Sequence, residues 1–115
     1  MNAQDRIRFQ HMLEAARDAL TFAAGKDLAA LQRDRMFFMA VVKAVEIMGE
    51  AAAHVSNETR RAYPALPWAG MIGMRNILVH AYFSVDLDQL WDTLENDIPG
   101  LAVALEKIIA EDELG

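Results

Sequence analysis

The sequence predicts an all-α protein, an up-and-down bundle of four long helical segments plus one short extra helix. Apolar residues recur at three- and four-residue steps along nearly the whole chain, and no stretch shows the strict alternation of a half-buried strand. The composition, 54% apolar and 24% charged, is that of a globular protein. We therefore expect residues 1–115 to form a single helical domain.

The first two helices are predicted from their apolar patterns. Between residues 5 and 24 one apolar stripe repeats at helical spacing, and Gly25 follows as a terminator that tolerates a left-handed cap. The stripe consists of Phe9, Met12, Leu13, Ala16, Leu20 and Ala23. The second helix is predicted from around Asp27 or Asp34 to His54. Its centre, residues 36–42, is apolar on almost every face, so we expect it in the middle of the bundle.

One polar line interrupts this second helix. Lys43, Glu46, Glu50 and His54 follow one another at steps of three, four and four residues and therefore share a face. That face meets either solvent or a polar cleft. The scattered methionines of the chain, including Met36 and Met39, are interpreted as pliable core or interface residues.

The remaining helices are predicted from their end signals. Residues 56–59 have the small polar caps and the acid of a helix start, and prolines 64 and 67 keep that helix short. Pro67 suits the first turn of the next helix, from Trp68 to about Tyr82. Within it Gly70 and Gly73 suggest a close approach to another helix. Asp86 is expected to cap the last helical region, and residues 99–100, Pro-Gly, to kink or split it.

Composition and charge exclude several classes of function. Without cysteine the chain has no disulfide, thiolate metal site or thiol nucleophile, and its three scattered histidines lack metal-ligand spacing. The N-terminus is polar and no apolar run approaches the ~20 residues of a membrane span, so we expect a soluble cytoplasmic protein. His11 and His54 are interpreted as surface residues.

The net charge of −6 is unevenly distributed along the chain. Residues 86–115 hold nine acids against Lys107 alone, a charge of −8, whereas residues 1–85 hold ten Lys and Arg against eight acids, a charge of +2. A weakly basic surface is therefore possible in the first part of the chain. Its candidates are Arg33, Arg35, Lys43, Arg60, Arg61 and Arg75.

The most informative motif is residues 75–82, Arg-Asn-Ile-Leu-Val-His-Ala-Tyr. Arginine offers a planar, permanently charged fork that matches phosphate oxygens, and histidine can take and give a proton near pH 7. Together Arg75 and His80 supply a charge clamp and a general acid–base, the minimum equipment for breaking a phosphodiester without a metal.

The spacing of this motif raises a geometric question. On one ideal helix Arg75 and His80 lie about 140° apart and ~7.5 Å apart along the axis, whereas Arg75 and Tyr82 share a face to within about 20°. Either the helix loosens near His80, or two copies of the chain face each other across a two-fold axis and pool their motifs in one cleft. The second arrangement, which is compatible with the first, makes a homodimer obligatory for activity.

Several stretches together resemble a known family, the HepT toxins of the HEPN superfamily of helical domains. They are residues 44–52, Ser56, Glu58, Arg60, Pro64, residues 67–68 and residues 73–83. The likeness extends over roughly residues 5–110. Its core is the pattern Arg-x4-His-x-Tyr after Gly-Met, at Arg75, His80 and Tyr82.

This resemblance implies a metal-independent endoribonuclease without cofactors, active as a homodimer with its cleft between protomers. It implies catalytic roles for Arg75 and His80. Support is expected from Asn76, which would orient RNA or the motif, from Tyr82, which would stack on a base or donate to phosphate, and from Glu50, which is either solvent-exposed or an acid facing the catalytic pair. It also implies a nucleotidyltransferase antitoxin that attaches AMP to Tyr82 and silences the nuclease.

Two other functions are compatible with the same residues. The chain could be a catalytically silent helical module that binds nucleotide or substrate and presents it to a nucleotidyltransferase. It could also be a simple dimerisation domain, which leaves the clustering of Arg75, His80 and Tyr82 unexplained. A nuclease loses RNA cleavage when His80 or Arg75 is replaced, whereas a binding module has no cleavage to lose.

Overall fold

A computed structural model describes the backbone of residues 1–80 and 86–115, and the side chains of residues 1–75 and 86–115. The described chain is helical almost throughout and contains no strand. The helices are α1 (Ala3–Ala23), α2 (Leu28–Arg33), α3 (Arg35–Ala53), α4 (Asn57–Ala62), α5 (Trp68–His80), α6 (Leu87–Asp92) and α7 (Ile98–Leu114), with a π-helical turn (Thr93–Asp97) between the last two. The predicted all-α bundle is confirmed.

The predicted helix starts are confirmed at the level of single caps. Both candidates for the second start are real, because Asp27 caps α2 and Asp34 caps α3 with their carboxylates. The side chain of Ser56 caps α4, and that of Asp86 caps α6. A short helix, α2, therefore precedes α3 in addition to the predicted short helix α4. Gly25, with φ +73°, follows the C-cap of α1.

The core lies where α1, α3, α5 and α7 meet, with α1 packed against α3 and α7, and α3 packed between α1 and α5. Its largest fully buried side chains include Phe9, Met12, Met48 and Met71. Phe9 packs with its ring centroid 5.8 Å from both Tyr63 and Trp68, at angles typical of favourable aromatic pairs. Three methionines thus fill the core as predicted.

The apolar centre of α3 lies in the middle of the bundle, as predicted, but it is not buried on all sides. Phe37, Val41 and Val42 are buried, but Met36 is 82% exposed and Met39 37% exposed. The helix is central in the bundle, yet one of its faces stays open, because α1, α2 and α5 cover only the remaining ones. That open face continues into the polar line, where Lys43, Glu50 and His54 are all exposed.

The predicted interruption of the last helical region lies slightly upstream of residues 99–100. The chain stays helical from Leu87 to Leu114, with the π-helical turn directly before α7 and Pro99 in the first turn of α7. Proline lacks the N–H that would bond back to residue 95, so a local change of helical register is a way to accommodate it. No helix in the described ranges has the length and apolarity needed to cross a membrane.

Helices α3 and α5 approach each other closely at Gly49 of α3. A Cβ placed there would lie 2.8 Å from the Met71 carbonyl oxygen and 2.9 Å from the Arg75 Cβ, so only glycine fits. The predicted close approach at Gly70 and Gly73 is not found within the described residues: apart from the Pro67 Cβ at 3.9 Å from Gly70, no described atom outside the local helix backbone lies within 4 Å of a Cβ at either position. The glycine that the α3–α5 contact requires belongs to the partner helix.

We expect Gly49→Ala to destabilise the protein by about 1–3 kcal/mol, because the added methyl group forces α5 away from α3. Gly70→Ala is the matched control: it gains helix propensity without a clash and is expected to be neutral or stabilising by up to about 1 kcal/mol. Urea unfolding of both variants measures the difference. Equal stability of the two would contradict the close contact.

A buried carboxylate joins the starts of α1 and α4. Asp5, 3% exposed, accepts hydrogen bonds from the Ser56 backbone N–H (3.0 Å), the Ser56 hydroxyl (2.6 Å) and the Thr59 hydroxyl (2.6 Å). It also accepts one from the Asn2 amide. Burial alone raises the pKa of Asp5, but the hydrogen bonds from Ser56, Thr59 and Asn2 outweigh it, so the pKa lies below its ordinary value of 3.8.

We expect Asp5→Asn to cost about 1–3 kcal/mol at pH 7, because the amide cannot accept all of these bonds. A carboxyl with a lowered folded-state pKa stabilises the fold above its unfolded-state pKa, and this contribution is lost as the pH falls through the folded-state value. The stability difference between wild type and variant should therefore be constant above pH 5 and shrink below about 4. Urea midpoints at a series of pH values test this; a difference that grows towards acid pH would contradict it.

Candidate active site

Arg75 lies on the third turn of α5, directly over Gly49 of α3. Its side chain is 30% exposed, and its Nη1 donates a hydrogen bond to Oε2 of Glu50 at 3.1 Å. Because the Arg75 Cβ rests against the backbone of residue 49, the next residue along α3 meets the guanidinium. The close helix contact therefore places the arginine and its carboxylate partner together.

Glu50 also lies beside His54, one turn further along α3. The His54 Nδ1 is 3.5 Å from Oε1 of Glu50 and 2.8 Å from the Glu50 carbonyl oxygen. Two alternatives were left open for Glu50, exposure to solvent or a position facing the catalytic pair. Glu50 is 52% exposed and also contacts Arg75, so the two are compatible. An ion pair this exposed contributes about 0–1 kcal/mol to stability, so its main effect is to orient the guanidinium.

The other predicted site residues are described only in part. The backbone of Asn76 and His80 belongs to α5, but their side chains, like all of Tyr82, lie outside the described residues. Because α5 is α-helical as far as His80, no loosening occurs before that residue, and positions 75 and 80 lie about 140° apart around one helix. Among the predicted site residues, the described part of the structure brings Arg75 and Glu50 together.

One member of the predicted basic surface has a structural role instead. The Nη2 of Arg60 donates to the last carbonyl oxygens of α3, at 2.8 Å from Ala53 and 3.3 Å from Ala52, and its Nε donates to the carbonyl oxygen of Val55, just beyond the helix, at 3.1 Å. Its guanidinium also lies 5.9 Å from the centre of the Trp68 ring. Arg60 therefore caps the C-terminus of α3 and is not available to bind a substrate.

A groove of about 650 Å³ runs along the side of α5 that carries Gly70 and Gly73. Its opposite wall is formed by α6, the π-helical turn and the start of α7, where Gln89, Asn96 and Asp97 supply polar groups. The two glycines that are not needed for helix contact thus leave this groove open. No trio of His, Asp or Glu side chains in the described residues is arranged to hold a metal ion.

Comparison with known proteins places these features in a family. The family described as "Ribonuclease HepT-like" matches residues 12–108. The chain is 37% identical to "Putative RNase MJ1380" of Methanocaldococcus jannaschii over 95 residues, 83% of this chain and 87% of that protein. It is 44% identical to "Probable ribonuclease HepT" of Thermococcus cleftensis over 75 residues, 65% of this chain and 68% of that protein.

A third relative is "Putative RNase MJ1216" of Methanocaldococcus jannaschii, 32% identical over 102 residues, 89% of this chain and 84% of that protein. No solved structure matches the chain significantly. The family match covers α3 and α5, and with them Arg75, Glu50 and the contact at Gly49. On this evidence the chain belongs to the HepT-like ribonuclease family.

Proposed function

We propose that this protein is a metal-independent endoribonuclease in which Arg75 and His80 are the catalytic residues. The observation that carries the proposal is the arginine itself, held by Glu50 at the surface of α5 and five residues before the histidine on the same helix. A partly exposed guanidinium whose carboxylate partner is itself solvent-exposed can exchange that partner for a phosphate. Membership of a ribonuclease family supports RNA as the substrate.

The chemistry needs only protons and charge stabilisation. The 2′-hydroxyl of the ribose attacks the adjacent phosphorus and loses its proton to a base, while the 5′-oxygen leaves and gains a proton from an acid. His80 serves one of these steps, and Arg75 binds the non-bridging oxygens as negative charge accumulates on them. The products carry a 2′,3′-cyclic phosphate and a 5′-hydroxyl, and DNA, which lacks the nucleophile, is not cleaved.

A homodimer completes this site. Positions 75 and 80 lie on different sides of α5, so one protomer cannot readily direct both side chains at the same phosphodiester. A two-fold pairing that brings two copies of α5 together places Arg75 of one protomer near His80 of the other, and the second histidine is then available for the complementary proton transfer. Glu50 acts as a positioning residue for Arg75, and Asn76 and Tyr82 contact the RNA.

Replacing either catalytic residue should abolish most cleavage. We expect Arg75→Ala and His80→Ala each to lower kcat by about 10²–10⁴-fold, because they remove charge stabilisation and proton transfer respectively. Cleavage of a labelled RNA in the presence of EDTA, with the product ends identified by mass spectrometry, measures this. Arg17→Ala is the matched control, since Arg17 is exposed on α1 and pairs only with Glu106 in the described structure.

Mixing the two inactive variants tests the shared site. A heterodimer of Arg75→Ala and His80→Ala chains keeps one intact pair across the interface, so activity should return on mixing if the two residues act in trans. Cleavage of an all-deoxy substrate at a similar rate would contradict the mechanism. Absence of any cleavage by the wild type would instead favour a silent nucleotide-binding module.

We further propose that a nucleotidyltransferase antitoxin silences the nuclease by attaching AMP to Tyr82. Tyr82 follows His80 by two residues, so a nucleotide on its phenol oxygen would add charge and bulk next to the catalytic histidine. An adenylate at this point competes with the RNA phosphate both sterically and electrostatically. The chain is then the toxin of a toxin–antitoxin pair.

Coexpression with the candidate antitoxin should raise the mass of the protein by whole adenylate units. We expect the Tyr82→Phe variant to stay unmodified and to resist neutralisation while it keeps RNA cleavage above the level of His80→Ala. Intact mass spectrometry and growth of the coexpressing cells provide the two measurements. Adenylate on Tyr63, the other tyrosine, would contradict the assignment.

A further inference from the structure

A second group of basic side chains lies near Glu50, on the side of α3 that faces α1. A cavity of about 180 Å³ lies between α1 and α3, lined by Arg8 and His11 from α1 and by Lys43, Glu46 and Glu50 from α3, among others. Neither Arg8 nor His11 was singled out by the sequence, because the pattern of α1 assigns them only to its solvent side. The packing of α1 on α3 brings them to the polar line.

These basic groups are not used by the fold. Within the described part of the chain Arg8 and His11 make no hydrogen bond or ion pair. Lys43 approaches Glu46 at 3.9 Å, and its side chain is 69% exposed, so this pair is weak. The cavity lining holds Arg8, His11 and Lys43 together with Glu46 and Glu50, and Glu50 is shared with Arg75. Arg8, Lys43 and Arg75 thus carry three positive charges against two negative ones, which favours an anionic ligand.

Glu50 connects this cavity to the arginine of the proposed active site. The same carboxylate that lines the cavity accepts the hydrogen bond from Arg75. Lys43 precedes Glu50 by seven residues, two helical turns or about 10.5 Å along α3. Arg75 and the basic side chains of the cavity therefore adjoin the same carboxylate, that of Glu50. Together they extend the positively charged surface from α5 over α3 to α1.

We propose that this cavity binds a backbone phosphate of single-stranded RNA next to the scissile one, with Arg8, His11 and Lys43 as substrate-positioning residues. Recognition through phosphate is independent of sequence and positions the chain rather than reading its bases. The carboxylates of Glu46 and Glu50 line the same cavity and bound the space in which this phosphate lies. This inference rests on the proposed ribonuclease function and adds to it the path of the substrate.

The test compares the double variant Arg8→Gln/His11→Gln with Arg17→Gln, which removes one exposed cation from the same helix. Steady-state cleavage is measured on a dinucleotide and on a ten-nucleotide RNA at several salt concentrations. For the double variant we expect KM for the long RNA to rise about tenfold with a much smaller change in kcat, as loss of one good phosphate contact predicts. The dependence of affinity on salt should weaken by about 0.7 per lost contact.

Binding of a 2′-O-methyl RNA, which cannot be cleaved, separates this inference from the proposed function. If wild type cleaves RNA but the double variant matches Arg17→Gln in KM, salt dependence and binding, the proposed phosphate site is contradicted and the proposed nuclease function is supported. If wild type binds the methylated RNA without cleaving any RNA, and the double variant loses that binding, the phosphate site is supported and the nuclease function is contradicted. Absence of both binding and cleavage overturns both. Thermal unfolding verifies that each variant is folded.

Discussion

The contact between α3 and α5 at Gly49 is the constraint on which the candidate site depends. With the Met71 carbonyl and the Arg75 Cβ so close that no side chain fits at residue 49, the two helices have little freedom to slide or rotate against each other. The position of Arg75 is therefore set by backbone contact, and only the end of its side chain is left to the ion pair with Glu50. The backbone of Arg75 is thus held rigidly while its guanidinium can change partner, which suits the exchange of a carboxylate for a phosphate in the proposed mechanism.

Exposed and buried polar contacts differ in energy, and they serve different purposes in this protein. The Arg75–Glu50 pair is partly exposed, with 30% of the Arg75 and 52% of the Glu50 side chain accessible, and contributes at most about 1 kcal/mol. The proposed exchange of Glu50 for a phosphate therefore costs the fold little. The buried Asp5 carboxylate is the opposite case, because its short hydrogen bonds to Ser56 and Thr59 are charge-assisted and shielded from water. Asp5 fixes α1 relative to α4, and α1 carries the basic groups that reach the polar line of α3. The fold is thus held by buried contacts, and the exposed ones remain available for function.

The sequence predicted those features that are local to a few residues. The caps at Asp27, Asp34 and Ser56 depend on a side chain and a backbone N–H only two or three positions away, and all three are confirmed. Gly25 follows the same rule. Arg75 was singled out by its motif, because the spacing to His80 is a property of the chain itself, and its catalytic role stays a prediction. The catalytic geometry at His80 and Tyr82 stays a prediction.

What the sequence could not predict depends on contacts between distant segments. In the sequence Gly49 is one small residue in an apolar helix, and only the packing of α5 against it shows that glycine is required there. Gly70 and Gly73, three residues apart in α5, were the more obvious candidates for a close helix contact. Asp5 resembled an ordinary acid in a first helical turn, and nothing in its neighbourhood indicated that Ser56, 51 positions later, would bury it. Met36 is exposed because helix packing covers only some faces of α3.

The acidic character of the chain is compatible with an RNA substrate when its distribution is considered. The acids are concentrated in residues 86–115, and some of them serve the packing of α7 on α1: Asp112 binds Arg6 and the N-terminal amino group, and Glu106 pairs with Arg17. At physiological ionic strength exposed charges are screened beyond about 8 Å. A phosphate bound over α1 and α3 therefore responds mainly to Arg8, Lys43 and Arg75 nearby. Glu46 and Glu50 line the same cavity and oppose it with two negative charges. Against them stand the three positive charges of Arg8, Lys43 and Arg75, so the local net charge is +1 in a protein whose overall charge is −6.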